Sequence, residues 1–320
     1  GLRSYVKGGL GLLKYGARSS TLARCAREVV SEVLTRPGRR EVLYHRQLLE
    51  VSIHGDVFAS LLKRYQPGFA AVLFSVVDSF GHRYWRYREP ALFDDVPAAD
   101  IRKYGQALES AYIVADQALG VILDVLPETA LIIVASDHGQ KACPVRCRPY
   151  LMSPELPKIL GFSRRVYVMH LGYRTVLRSP SLAKQHETPA CIAATLKRIR
   201  LQSDDRPVFR IVTESATELV VEVCLDAHLE PQTIVTLPGG RQVKLGDVVF
   251  SRKASGCHDE WGILILKGPE VKKGHRLDDV TVLDVTPTVL ALRGYPVGED
   301  MDGKVLIDAI EPTFLQRNPL

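Results

Sequence analysis

The chain has 320 residues, of which 46% are hydrophobic, a proportion that is ordinary for a soluble protein. No uninterrupted apolar run reaches the about 18 residues of a membrane-spanning helix, and the early Arg3 and Lys7 disfavour a signal peptide. The formal net charge is +6, but the basic residues form no basic-aromatic platform. Nucleic acid is therefore not expected as a partner.

The cysteines and the length limit the class of protein further. No spacing of a disulfide framework connects the six cysteines, which are Cys25, Cys143, Cys147, Cys191, Cys224 and Cys257. We therefore expect reduced thiols and a cytoplasmic location. A redox or zinc site at Cys143 and Cys147 is an alternative, although a zinc site usually needs a second pair. The length fits a single α/β domain with an insertion as well as two domains.

The first part of the chain has a helical pattern. Pro37 and Gly38 separate a lead-in over residues 1–38 from a second predicted helix near residues 41–65. We delimit the whole helical lead-in at residues 1–66. Its serines and threonines, together with Asp56, are interpreted as helix-cap or surface residues.

Two short apolar runs, residues 70–77 and 131–135, lack polar alternation, which is typical of strands in a parallel sheet covered on both faces. Between them, apolar residues recur at three- and four-residue steps over residues 97–126, which predicts one long helix. A strand, a crossover helix and a strand form a βαβ unit, so both carboxyl ends should lie at one edge of the sheet. Asp78 and Asp137-His138 follow those ends, where open α/β sheets bind ligands.

Two further histidines accompany these aspartates. His82 follows Asp78 by four residues, and His258 stands four residues before the start of a third apolar run at residues 262–266. A parallel strand would carry His258 to the wrong edge, so this strand should be antiparallel to the others, or the loop must fold back over the sheet. We predict that the His258 imidazole lies within a few ångströms of the Asp78 carboxylate. Carboxylate oxygen with neutral imidazole suits zinc and neighbouring transition metals.

At these residues the chain resembles the alkaline phosphatase superfamily, in particular its type I phosphodiesterase and nucleotide pyrophosphatase branch and the related phosphohydrolases. The resemblance extends over about residues 45 to 310. It rests on Asp78-Ser-Phe-Gly-His82 with Tyr84-Trp85, Ser136-Asp137-His138-Gly139, Ser255-Gly256-Cys257-His258, residues 262–274, 284–290 and 298–303. The implied fold is α/β, with an alkaline phosphatase-like, mostly parallel sheet, helices on both faces and an inserted β-rich cap.

The resemblance implies a metal-dependent hydrolase of phosphomonoesters or phosphodiesters with two divalent ions, zinc or else manganese. Asp78, His82 and His258 would hold one ion, and Asp137 and His138 would hold part of the other. Two ions stabilise the attacking and leaving oxygens of an in-line displacement. A small-molecule phosphate ester is the implied substrate, which the positive net charge also fits.

The 119 residues between His138 and His258 are more than a βα loop requires. Alternation predicts a hairpin of strands 166–170 and 174–178, followed by antiparallel strands at 208–212, 218–224, 233–237 and 241–250. We therefore predict a metal-binding core, residues 67–145 and 251–320, and an inserted subdomain, residues 146–250. The insertion is either a cap that selects the leaving group or a peripheral subdomain that only stabilises the fold.

One part of the family pattern has no counterpart in this sequence. The family places an Asp at the end of a first strand and a Thr or Ser nucleophile at a helix N-terminus, and residues 1–70 show neither. The chain also begins at Gly1 without an initiator Met. We expect that a missing N-terminal segment completes the site and that this chain alone is inactive. The alternatives are a phosphotransferase or mutase of the same superfamily, and a non-catalytic metal-binding relic.

Overall fold

The structure is a computed structural model that describes residues 11–94, 96–144, 150–163, 165–172, 174–179, 187–225, 229–251 and 254–318. The first ten residues of the predicted lead-in and Cys147 lie outside the described residues. The helices are α1 (Ser19–Thr35), α2 (Arg39–Tyr65), α3 (Val76–Arg88), α4 (Ala98–Tyr104), α5 (Ala107–Leu123), α6 (Leu156–Ile159), α7 (Pro189–Leu196), α8 (Leu245–Val248), α9 (Val285–Leu292) and α10 (Pro312–Arg317).

The strands are short. They are β1 (Ile132–Ala135), β2 (Gly139–Ala142), β3 (Tyr150–Met152), β4 (Tyr167–Leu171), β5 (Arg174–Arg178), β6 (Arg200–Leu201), β7 (Phe209–Glu214), β8 (Glu218–Val223), β9 (Ile234–Thr236), β10 (Gln242–Lys244), β11 (Val249–Ser251), β12 (Gly256–Asp259) and β13 (Leu264–Lys267). No helix in the described part of the chain is long and apolar enough to cross a membrane. The cytoplasmic location stays a prediction.

The chain divides into two compact units. The first unit contains the chain up to Gly81, Gln106–Lys141 and the chain from His258 onward, and the second contains His82–Gly105 and Ala142–Cys257. The division into lead-in, core and insertion at residues 66, 145 and 250 stays a prediction.

In the first unit, helices α1 and α2 follow the lead-in pattern, and α2 packs along α5. Gly55 permits this approach, since a Cβ atom there would lie 2.9 Å from the Cβ of Ala118. The interpretation of Asp56 as a surface or cap residue is wrong, because only 2% of it is exposed. Its carboxylate accepts hydrogen bonds from the backbone N–H and the Nε of Arg18, at 2.9 and 2.6 Å. The buried charge is thus paired.

The predicted strand at residues 70–77 is wrong. Residues 70–74 form no ladder with any described strand, and helix α3 begins at Val76. Along the helix, Val76, Phe80, Tyr84 and Tyr87 are all buried, at steps of four, four and three residues. This helical period explains the correction, because a short apolar run cannot by itself be assigned to a strand or to the start of a helix.

The helix predicted over residues 97–126 is divided into α4 and α5. Gly105 follows α4, and its N–H donates a hydrogen bond to the carbonyl oxygen of Ile101 at 2.8 Å. Glycine has a low helix propensity, which explains why the continuous apolar period did not produce a continuous helix. With residues 70–77 not forming a strand, the predicted βαβ unit is absent from the described residues.

The predicted parallel sheet is not found in the described ranges, where the sheets are small and antiparallel. Strand β13 pairs antiparallel with β1, with Ala135 opposite Leu264 and Ile132 opposite Lys267. The predicted direction of the third apolar run relative to residues 131–135 is therefore confirmed. On one face of this pair, Leu266 packs against a core that contains Leu292 and Ile310.

The second unit contains a four-stranded antiparallel sheet in the order β4-β5-β8-β7, which confirms the predicted hairpin and the pairing of its successor strands. Strands β9 and β10 also pair as predicted. The predicted strand 241–250 is interrupted by α8, because Leu245 and Val248 are both buried at the spacing of one helical turn. Strand β11 then pairs with β3. A role as a cap stays a prediction.

Asp284 stabilises the first unit through its buried carboxylate. The carboxylate accepts hydrogen bonds from the N–H and hydroxyl of Thr281, at 2.8 and 3.1 Å, and from the N–H of Lys304 at 2.8 Å. Burial raises the pKa of Asp284, but the hydrogen bonds from Lys304 and Thr281 outweigh burial, so the pKa is lower than usual. The folded state is therefore stabilised above the unfolded pKa of about 3.9.

Replacing Asp284 by Asn is expected to lower the free energy of unfolding at pH 7 by about 1–3 kcal/mol, because the amide NH₂ would face a backbone donor. The difference in free energy of unfolding between the wild type and this variant should disappear as the pH falls through the lowered pKa of Asp284 in the folded state. Urea unfolding at pH 7 and pH 3 measures both effects. The exposed Asp278→Asn is the matched control, with a change within about 0.5 kcal/mol. An equal cost for both variants at pH 7 would contradict this role.

Candidate metal centre

Three chain segments bring the predicted site residues together. Asp78 lies in the first turn of α3, and Asp137 and His138 lie between β1 and β2. His258 lies on β12, which pairs with β2. The pairing of β2 with β12 therefore places the end of the Ser-Asp-His-Gly motif beside His258.

Asp78, His138 and His258 form a compact cluster of metal-ligating atoms. One ligand atom from each of the three lies within 4.8 Å of the other two. The Nε2 of His258 is 3.3 Å from the Oδ1 of Asp78, and the Nε2 of His138 is 4.0 Å from the same oxygen. The two imidazole rings stack with their centroids 3.6 Å apart. The predicted proximity of His258 to the Asp78 carboxylate is confirmed.

Backbone carbonyls orient two of the histidines. The Nδ1 of His138 lies 2.9 Å from the carbonyl oxygen of Gly139, and the Nδ1 of His82 lies 2.8 Å from that of Gly256. A carbonyl oxygen can only accept, so we assign the proton to Nδ1 and the lone pair to Nε2 in both rings. Metal-ligating histidines commonly hold their second nitrogen in this way.

The other two predicted site residues are not members of the cluster. The Oδ1 of Asp137 lies 3.7 Å from the Nε2 of His138, and 77% of the Asp137 side chain is exposed. His82 follows Asp78 by one turn of α3 and belongs to the second unit. The cluster thus takes Asp78 and His258 from one predicted ligand set and His138 from the other. The two ligand sets themselves stay a prediction.

Sequence reasoning missed Gln140, which orients the Asp78 carboxylate. Its Nε2 donates to the Oδ1 of Asp78 at 2.8 Å and to the carbonyl oxygen of Asp78 at 3.0 Å. Gly81 makes room for this side chain, since a Cβ atom there would lie 1.5 Å from the Oε1 of Gln140. The available signal was the position of Gln140, two residues beyond His138 and on the short strand β2 that follows it.

The resemblance places a strand and then a nucleophile in the segment before the site. Helices α1 and α2 account for most of residues 11–69, and no strand occurs in this described range. A strand-end Asp followed by a nucleophile at a helix N-terminus is therefore absent from residues 11–69.

A family model described as type I phosphodiesterase / nucleotide pyrophosphatase matches residues 14–219, which is more than half of the chain. The matched region includes Asp78, His82, Asp137 and His138, and it ends before His258. No curated protein and no solved structure matches the chain.

Proposed function

We propose, from the premise that the chain belongs to the type I phosphodiesterase / nucleotide pyrophosphatase family, that it carries the metal centre of a phosphoric ester hydrolase. The family consists of hydrolases that act on phosphoesters. The finer proposal is a centre for two divalent ions, zinc or else manganese, acting on a small-molecule phosphate ester.

The cluster of Asp78, His138 and His258 is the single observation that carries this proposal. One carboxylate oxygen and two imidazole nitrogens within 4.8 Å are a donor set that suits zinc. The proton on the Nδ1 of His138 leaves the lone pair of that ring on the nitrogen nearest Asp78. The residues present therefore fit the ion.

The proposed ligands are Asp78, His82 and His258 for one ion, and Asp137 and His138 for part of the other. Bound ions would supply positive charge to the non-bridging, attacking and leaving oxygens of the phosphoryl group. Gln140 holds the Asp78 carboxylate in one orientation, and the carbonyls of Gly139 and Gly256 fix the rings of His138 and His82. In keeping with the resemblance, the nucleophile of the proposed reaction would be a Thr or Ser upstream of Asp78.

Phosphate binding tests the proposal on this chain without requiring turnover. Calorimetry should show inorganic phosphate binding to the zinc-loaded protein and loss of that binding after zinc is removed with a chelator. The chain without added ion and the chelated chain should behave alike. Phosphate binding that is equal with zinc and with chelator, or absent from the zinc-loaded protein, would contradict the proposed function.

A further inference from the structure

Trp261 is an exposed aromatic side chain that follows His258 by three residues. It is 75% exposed and lies in the loop between β12 and β13. Three residues of chain span at most about 11 Å between Cα atoms, so the backbone of Trp261 stays close to the metal cluster. Exposed tryptophan is unusual in a folded protein, because its large apolar surface gains free energy when it leaves water.

The loop that carries Trp261 is fixed against the segment that carries Asp137 and His138. A Cβ atom on Gly139 would lie 2.1 Å from the carbonyl oxygen of Trp261, so the absence of a side chain permits this close approach. On the far side of the loop, the N–H of Ile263 donates to the Oγ of Ser136 at 3.0 Å, and the N–H of Ser136 donates to the carbonyl oxygen of Ile263 at 3.0 Å. The position of the loop is therefore determined by its contacts.

The other end of the loop is also held. The ammonium group of Lys141 contacts the Oδ1 of Asp259 at 2.9 Å, one residue beyond His258. With contacts at Asp259 and at Ile263, the backbone on both sides of Trp261 is anchored, while the side chain of Trp261 faces solvent.

The exposed surface continues along β13. Ile263 and Ile265 are 56% and 57% exposed, and they alternate with Leu264 and Leu266. Leu266 packs into the core, which places the alternate positions on the opposite face of the strand. The exposed side chains of Ile263 and Ile265 therefore continue from the loop of Trp261, whose backbone lies within about 11 Å of His258.

We propose that Trp261 determines specificity by stacking on a planar aromatic leaving group of the phosphoester substrate. This inference rests on the proposed function, which supplies the phosphate position at the cluster. A flat indole favours a flat ring over an alkyl chain, because stacking gains from matched π faces. Replacing an aromatic residue that stacks on a base by Ala lowers the affinity for the ligand by about 5- to 150-fold.

Ligand binding to the zinc-loaded chain provides the test. Phenyl phosphate should bind about 5- to 150-fold more tightly than methyl phosphate, and Trp261→Ala should remove this preference. Trp261→Phe should retain part of it. Inorganic phosphate should bind equally to the wild type and to Trp261→Ala. The matched control is Tyr112→Ala on α5, since Tyr112 is also an exposed aromatic residue and its loss should leave the preference unchanged.

Fluorescence gives an independent readout, because the sequence contains only two tryptophans. The difference between the spectra of the wild type and Trp261→Phe isolates the emission of Trp261, and phenyl phosphate should change that emission while methyl phosphate should not. Phosphate binding without a phenyl preference, or a preference that survives Trp261→Ala, would overturn this inference alone. Failure of inorganic phosphate to bind would overturn the proposed function and this inference with it.

Discussion

Replacing His258 by Ala is expected to lower the zinc affinity of the site proposed for Asp78, His82 and His258 by about 100-fold or more. The Nε2 of His258 lies 3.3 Å from the Oδ1 of Asp78, so its loss removes a nitrogen donor from the centre of the cluster. Replacing a residue that only hydrogen-bonds to a metal ligand typically lowers metal affinity by about 10- to 100-fold. Replacing a ligand itself should lower it at least as much. Zinc calorimetry measures the change.

The matched control for His258→Ala is His54→Ala. His54 is a half-exposed histidine of α2 whose Nε2 lies 4.0 Å from the Oε1 of Glu50, and its loss should leave zinc binding unchanged. Urea unfolding checks that both variants retain their fold. Equal zinc affinity before and after His258→Ala would disprove the assignment of His258 as a ligand.

Zinc calorimetry on further variants distinguishes a centre with two ions from a centre with one ion. With two ions, His82→Ala should weaken the same binding event as His258→Ala, and His138→Ala should weaken the other event. A single event that His138→Ala removes and His82→Ala leaves intact would argue against the two-ion proposal. It would favour one ion held by the observed cluster of Asp78, His138 and His258.

In a protein that contains this chain and hydrolyses phosphoesters, replacing Asp137 by Asn is expected to lower turnover by about 100-fold or more. Asn preserves the size of the side chain but removes the negative charge that a divalent ion requires. Because 77% of the Asp137 side chain is exposed, the folded state should lose little stability. Hydrolysis of an aryl phosphate diester in a metal-replete assay provides the measurement.

The control for this second prediction is Asp116→Asn, which changes an exposed carboxylate on α5 to the same amide. Its turnover should equal that of the wild type. If Asp137→Asn turned over the ester at the wild-type rate with saturating metal, Asp137 would have no part in the reaction.

Several features followed from local sequence patterns. The lead-in helices, the hairpin of β4 and β5, and the pairing of β13 with β1 agree with the structure. The direction of β13 was predictable because His258 precedes its strand, whereas Asp137 and His138 follow theirs. The residue types of the candidate site were also recognisable from the sequence. The spacing of its Asp and His residues resembles that of the family whose model matches the chain.

Other local patterns were ambiguous until neighbouring elements were known. Residues 70–77 are apolar enough for a strand, but the buried positions from Val76 to Tyr87 follow a helical period. The continuous apolar period of residues 97–126 concealed the break at Gly105. A short apolar sequence is compatible with both a strand and a helix. The tertiary contacts of its side chains determine which of the two is formed.

The composition of the cluster depended on the tertiary structure. The sequence placed His138 with Asp137, whereas the fold stacks the His138 ring on His258, 120 residues further along the chain. It also brings Gln140 to Asp78, across 62 residues, and pairs the buried Asp56 with Arg18. The sequence by itself determined which residues could ligate a metal, because side-chain chemistry and local periodicity are properties of the chain. That His138 joins Asp78 and His258 was decided only by the tertiary structure, because the pairing of distant segments sets those distances.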